Sequence, residues 1–189
     1  MIKPKTHNNP NLQLIRGYYP LNISMGTLEI VAAPKKMQPF AVDAMAFEED
    51  TFLILSADTK VRDPQKPLMH ILTELIEIQP EIPGTVVVKG KHPCRLLAVV
   101  HDLDQEPTWQ EDWIETALNN IFQEAEKRKL QSIALPFIGT LYGKLEKHRF
   151  IEILWQALNR VTPHYLKRLW IVVPKGTAKN AFEVFRSES

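Results

Sequence analysis

The chain has 189 residues, enough for one sizeable core and too few for two. Apolar residues make up 44% and charged residues 24%, and 23 Lys and Arg against 22 acids give no global field to gather nucleic acid or an anionic membrane. The single cysteine, Cys94, excludes an internal disulfide and a thiolate metal cluster. No apolar run reaches the roughly 18 residues that span a bilayer, and the polar start "MIKPKTHNNPNLQ" lacks a signal peptide's apolar segment, so a cytoplasmic protein is expected.

The first dozen residues read as a loose arm. "LQLIRGYYPLNIS" has strand-like order broken at Gly17 and Pro20, and "GTLEIVAAP" is a short strand stopped by Pro34. "FAVDAMAFEEDTFLILSAD" holds one or two strands, interrupted at Glu48, Glu49 and Asp50. After the loop "VRDPQKP", the segment "LMHILTELIEI" spaces Leu68, Ile71, Leu72, Leu75 and Ile76 as one face of a helix. "GTVVVKG" and "RLLAVVHDL" are apolar, β-branched runs expected to form strands buried on both faces.

"PTWQEDWIETALNNIFQEAEKRKL" carries the stripe Trp113, Ile114, Ala117, Leu118, Ile121, Phe122 and Ala125. Thr108 and Glu111 have the spacing of a capping box at its start, and Lys127, Arg128 and Lys129 suit the negative end of the helix dipole. "SIALPFIG" is the next strand, "LEKHRFIEILWQALNRV" a second amphipathic helix, "LKRLWIVVP" a last buried strand and "TAKNAFEVFRS" a short terminal helix. This order predicts a mixed α/β sheet between helices. One domain over residues 27–189 follows an extension over residues 1–26 that can add a strand.

Glycine is scarce, 7 in all, yet Gly139 and Gly143 bracket Thr140, Leu141 and Tyr142 between a strand and a helix. A phosphate cradle needs that permissive backbone, with amides converging on an anion at a helix N-terminus. A plain strand-to-helix turn uses glycine too, and both readings stay open. The acids Glu48, Glu49 and Asp50 have the chemistry of a general base or a metal ligand, but clustered acids more often mark a solvated strand end. Asp43, among apolar neighbours, is expected to be a satisfied structural carboxylate. His101, Asp102 and Asp104 fall at a strand terminus, where α/β sheets carry their sites. Cys94 beside His92 reads as a partly buried thiol at a strand entry. The four tryptophans read as packing residues, and the basic clusters lack the interleaved aromatics of a nucleic-acid surface.

Three strings in order, "VDAMAFEED", "RLLAVVHDL" and "LPFIGTLYG", resemble those of the macro domain, a family of ADP-ribose-binding modules. The resemblance runs from about Thr27 to the C-terminus. It implies a three-layer α/β/α fold with a mixed central sheet and a nucleotide ligand at the strand C-terminal ends. The residues implied to hold that ligand are Phe137, Ile138, Gly139, Thr140, Leu141, Tyr142 and Gly143, together with Asp50.

The departures are specific. "LEIVAAP" has no aspartate where the family's adenine-binding aspartate stands, Phe47 and Asp50 replace two asparagines, and "VRDPQKP" has no glycine in place of the first glycine-rich loop. The expectation is therefore a divergent binding module without catalytic residues, cofactor or metal, taking an ADP-ribose-like or other nucleotide ligand. Nucleic acid and membrane are not expected as partners. A domain that serves as a protein-interaction or structural unit is the first alternative, and an ADP-ribosyl hydrolase the second.

Overall fold

The structure, a computed structural model, describes residues 21–55, 79–161 and 163–173. The loop "VRDPQKP", the helix expected at "LMHILTELIEI", the terminal helix and the N-terminal arm through Pro20 lie outside the described residues. Seven strands form one sheet: β1 (Leu21–Met25), β2 (Leu28–Pro34), β3 (Ala44–Asp50), β4 (Val86–Lys89), β5 (Cys94–His101), β6 (Ser132–Pro136) and β7 (Arg168–Val173). Two helices, α1 (Glu111–Arg128) and α2 (Lys147–Val161), flank β6 in the chain.

The spatial order is β1-β2-β7-β6-β3-β5-β4. Strands β2, β7, β6, β3 and β5 are parallel, and β1 and β4 close the two edges antiparallel. All five parallel strands therefore end along one edge, where loops of an α/β sheet converge. Strand β5 is buried from Leu96 to Val100, as its apolar run requires. Strand β4 departs from the expected burial on both faces: its valines are only half-buried, because it is an edge strand with a neighbour on one side.

The alternating side chains Ile30, Ala32, Ala46, Leu96, Ala98, Ile133, Leu135, Leu169 and Ile171 point to one face. There they meet Ile114, Leu118, Ile121 and Phe122 of α1 and Phe150, Leu154 and Leu158 of α2. A Phe137–Phe150 ring contact at 5.2 Å joins the end of β6 to α2. The opposite face is buried as well, around Ala33, Ala134 and Trp170, whose Nε1 donates to the Ala33 carbonyl at 2.9 Å.

Helix α1 starts later than its capping-box spacing predicts. Gln110 is the N-cap and gives no side-chain cap, while the Thr108 carbonyl accepts the Asp102 amide at 2.7 Å and so closes the preceding loop. Glu111 binds Arg149 of α2 instead, at 2.9 Å, and ties the helices together. At the other end Lys129 adopts a left-handed φ of 55°, and the Leu130 amide returns to the Ala125 carbonyl at 2.9 Å.

Asp43 is the structural carboxylate its apolar neighbours suggest. Its Oδ2 accepts the amides of Gln131 and Ser132 at 2.8 and 3.0 Å and the Ser132 hydroxyl at 3.2 Å. This fixes the start of β6 against the start of β3 across 89 positions of sequence. Asp43→Ala leaves those donors without their acceptor and is expected to cost about 2 kcal/mol, read as a lower urea midpoint with an unchanged m-value.

Candidate ligand-binding edge

Seven large apolar side chains are exposed among the described residues, and their placement is uneven. Met37 follows β2, Ile54 follows β3, Leu103 follows β5, and Leu141 and Tyr142 follow β6. Ile82 precedes the antiparallel β4, so it reaches the same edge, where the Gly84 amide bonds the Val99 carbonyl at 2.7 Å. Tyr165 alone lies at the opposite end, before β7. Six of the seven thus lie in loops at the edge where the parallel strands end, the edge at which α/β sheets carry their sites.

The turn after β6 is the centre of this edge. Phe137 and Ile138 are buried and anchor it, the Thr140 hydroxyl donates to the Phe137 carbonyl at 2.9 Å, and Leu141 and Tyr142 project outward. Both glycines have packing reasons of their own. Gly139 has φ +83°, and a Cβ there would stand 2.3 Å from Ile114 Cδ1. A Cβ on Gly143 would stand 2.4 Å from the Gly139 carbonyl oxygen and 3.1 Å from the Trp109 ring. The glycines thus compact the turn against α1 and the loop before it.

The acidic cluster is not the solvated strand end its sequence suggests. Glu48, Glu49 and Asp50 are all buried, paired along β5 at the end of β3. Asp50 uses both carboxylate oxygens on its own loop, accepting the Phe52 amide at 2.7 Å and those of Ile54 and Leu55 at 2.9 and 3.0 Å. It therefore acts as the anion of that turn.

Glu48 meets His101 through a bulge. Along β3 and β5, Glu49 pairs with Val99 while Asp50 pairs with His101, so Val100 is the extra residue. One extra residue in a strand turns the next side chain to the other face. His101 thereby shares the face of Asp50 and Glu48 instead of following Val99. Its Nε2 lies 2.5 Å from Glu48 Oε1, with the imidazole 1% and the carboxylate 5% exposed. The same Oε1 accepts the Tyr142 amide at 3.4 Å, and the Tyr142 ring stands edge-on to the imidazole. A buried acid–imidazole pair therefore backs the glycine turn from inside.

No protein-family model and no curated protein matches the sequence. Among solved structures, the Oceanobacillus iheyensis macrodomain with ADP is similar at a TM-score of 0.66 and 14% identity, covering 90% of this chain and 96% of that one. The Trypanosoma brucei macrodomain in complex with ADP-ribose gives 0.55 at 14% identity, over 84% of this chain and 68% of that one. The macro domain of ganglioside induced differentiation associated protein 2 gives 0.55 at 10% identity, over 82% and 80%. The chain has the macrodomain fold.

On this macrodomain scaffold the residues named from the sequence divide. Gly139, Thr140, Leu141, Tyr142 and Gly143 form the turn, exposed at Leu141 and Tyr142 and buried at Gly139, with Phe137 and Ile138 beneath it, while Asp50 is turned into the neighbouring loop. Phe47 lies under the Arg95 guanidinium at 4.6 Å, and the Phe137 ring packs on Phe150. Cys94 is buried, and that burial pushes its thiol up from its ordinary value, away from a reactive thiolate. Among the described residues no three His, Cys, Asp or Glu side chains converge to hold a metal. Ile54, Ile82 and Leu103 escaped sequence reasoning. For Ile82 and Leu103 the signal was a lone large apolar residue in an otherwise polar loop, as in "HDLDQE", whereas Ile54 is hidden in the apolar run "FLIL".

Gly139→Ala is expected to destabilise the domain by about 2 kcal/mol, through the left-handed φ and the collision with Ile114. Leu141→Ala, at an exposed position two residues on, is expected to stay within about 0.5 kcal/mol. Thermal melts of the two variants check both values.

Proposed function

We propose that this domain is a binding module for an ADP-ribose-like nucleotide, taken without turnover at the C-terminal edge of its parallel strands. The observation that carries this reading is the row of exposed apolar side chains at that edge, with Leu141 and Tyr142 on the turn itself. An aromatic ring and an aliphatic chain held outward by a compact turn suit the face of a base or sugar. The macrodomain fold supports the same location, since the similar structures from Oceanobacillus and Trypanosoma contain ADP and ADP-ribose. Binding without turnover is supported by the edge carboxylates: Asp50 is engaged by three backbone amides, and Glu48 by His101.

A second reading has its own observation. Backbone amides of the loop after β3 and of the turn after β6 already meet this chain's own carboxylates, three of them Asp50 and that of Tyr142 Glu48. That favours a domain that has kept the fold and uses its apolar edge for a protein partner.

Titration calorimetry with ADP-ribose separates the two. Binding in the range of about 0.1–1 mM, roughly −5.5 to −4 kcal/mol, weakened severalfold by Leu141→Asp or Tyr142→Ala, is the expected outcome. A folded protein that gives no heat at several times about 1 mM ligand retires the nucleotide reading and leaves the partner surface.

A further inference from the structure

The end of the sheet opposite the candidate ligand-binding edge concentrates positive charge, although the chain as a whole carries only +1. Lys89 and Lys91 are exposed at the turn into β5, Lys127, Arg128 and Lys129 at the end of α1 ahead of β6, and Lys167 just before β7. The clusters adjoin: the Arg128 charge reaches the Cys94 thiol at the start of β5 and opposes the upward push of its burial. Acids nearby are already engaged. Glu124 faces two cations, Lys127 at 3.1 Å and Arg128 at 2.8 Å. Asp43 serves the amides that start β6, and Glu29 accepts from Asn22 at 3.2 Å. Lys89, Lys91, Lys129 and Lys167 make no ion pair with any described residue. Basic clusters without exposed aromatics argue against nucleic acid, and here the fold supplies one. Tyr165 is 39% exposed. Glu126 accepts its amide and that of His164 at 2.9 Å each, which ties this loop to the last turn of α1. The Lys129 ammonium thereby stands 5.6 Å from the Tyr165 ring centroid, and Lys167 stays beside the loop through the His164 carbonyl at 2.9 Å.

We propose that this end of the domain binds single-stranded nucleic acid, with its lysines along the phosphates and Tyr165 against a base. The site is separate from the edge that carries Leu141 and Tyr142 and does not depend on the nucleotide reading there. Cations alone would serve an anionic membrane equally well. A bilayer also takes up apolar area, however, and Tyr165 is the only large apolar side chain exposed at this end among the described residues. One ring fixed among lysines suits an unstacked base, and every base offers a face to it. The starts of β5 and β7 are three strand spacings apart, about 14 Å, so a short single strand crosses both clusters. Binding is then indifferent to base sequence and falls with salt as counterions are released.

The test is fluorescence anisotropy of a labelled uridine oligonucleotide of about 12 residues, titrated with the full chain between about 50 and 200 mM salt. A Kd of about 1–100 μM is expected, with log K falling by about 0.7 per decade of salt for each phosphate contacted. Lys129→Asn combined with Lys167→Gln removes two such contacts and lowers that slope by about 1.4. Asparagine is chosen because Lys129 has a left-handed φ of 55°. Tyr165→Ala weakens binding about tenfold with the slope unchanged, and Lys147→Gln at the opposite end changes neither. Absence of binding at about 50 mM salt overturns the inference. So does a slope that survives the double substitution, or an affinity indifferent to Tyr165→Ala. Vesicles containing phosphatidylserine that bind the chain when the oligonucleotide does not overturn it in favour of a membrane surface. Where the double variant does not fold, Lys89→Gln with Lys91→Gln, in an exposed turn, is held to the same loss of slope.

Discussion

Strand β3 runs between β5 and β6, and its register with those two neighbours determines what each residue at its end can do. At its start, Asp43 accepts the first amides of β6, while its carbonyl accepts the Cys94 amide of β5 at 2.9 Å. Three strands are thus fixed relative to one another before the core residues of β3 begin. From that origin the alternation sends Ala44 and Ala46 toward α1 and α2. It also carries three successive acids into the buried end of the strand, beside β5. Burial of acids at such a point is tolerable only with dedicated partners. Asp50 finds them in the amides of its own loop, and Glu48 in His101.

The bulge at Val100 is the device that reconciles two demands on β5. The strand must keep Leu96, Ala98 and Val100 facing the helices, and it must also present a polar partner to Glu48 at its end. Strict alternation would turn His101 to the opposite face. One extra residue shifts it back after the last core position, at the strand terminus where a broken ladder is least costly. The Thr51 amide then bonds the His101 carbonyl at 2.9 Å, so the strands remain paired beyond the irregularity.

Elements whose signal is local were legible in the sequence, and elements whose meaning is set by distant partners were not. The periodic stripe from Ile114 to Ala125 and the β-branched runs of β5 and β7 fixed their own type, because a helix face or a doubly covered strand needs that pattern wherever it lies. The capping-box spacing at Thr108 misled, since the Thr108 carbonyl is used to close the loop from Asp102. The solvated reading of Glu48, Glu49 and Asp50 failed for a similar reason. They pair along β5, and the partner of Glu48 lies 53 positions away beyond a bulge that no pattern announces. The glycine turn was found at its correct place, but its composition could not reveal that a carboxylate 94 positions earlier backs it.

Retention of the macrodomain fold does not depend on retention of its ligand chemistry, and this domain shows physically why. Gly139 and Gly143 are each required by contacts with Ile114, Trp109 and the turn's own backbone, so packing alone would preserve them after any phosphate had ceased to bind. A glycine turn at a strand end is therefore weak support for an anion site. The outward Leu141 and Tyr142 are different. They contribute little to the core, and their exposure is unfavourable for the isolated domain. Of the features at this edge, the exposed apolar side chains are the ones that folding does not require, and so the binding reading proposed above rests on them more than on the glycines.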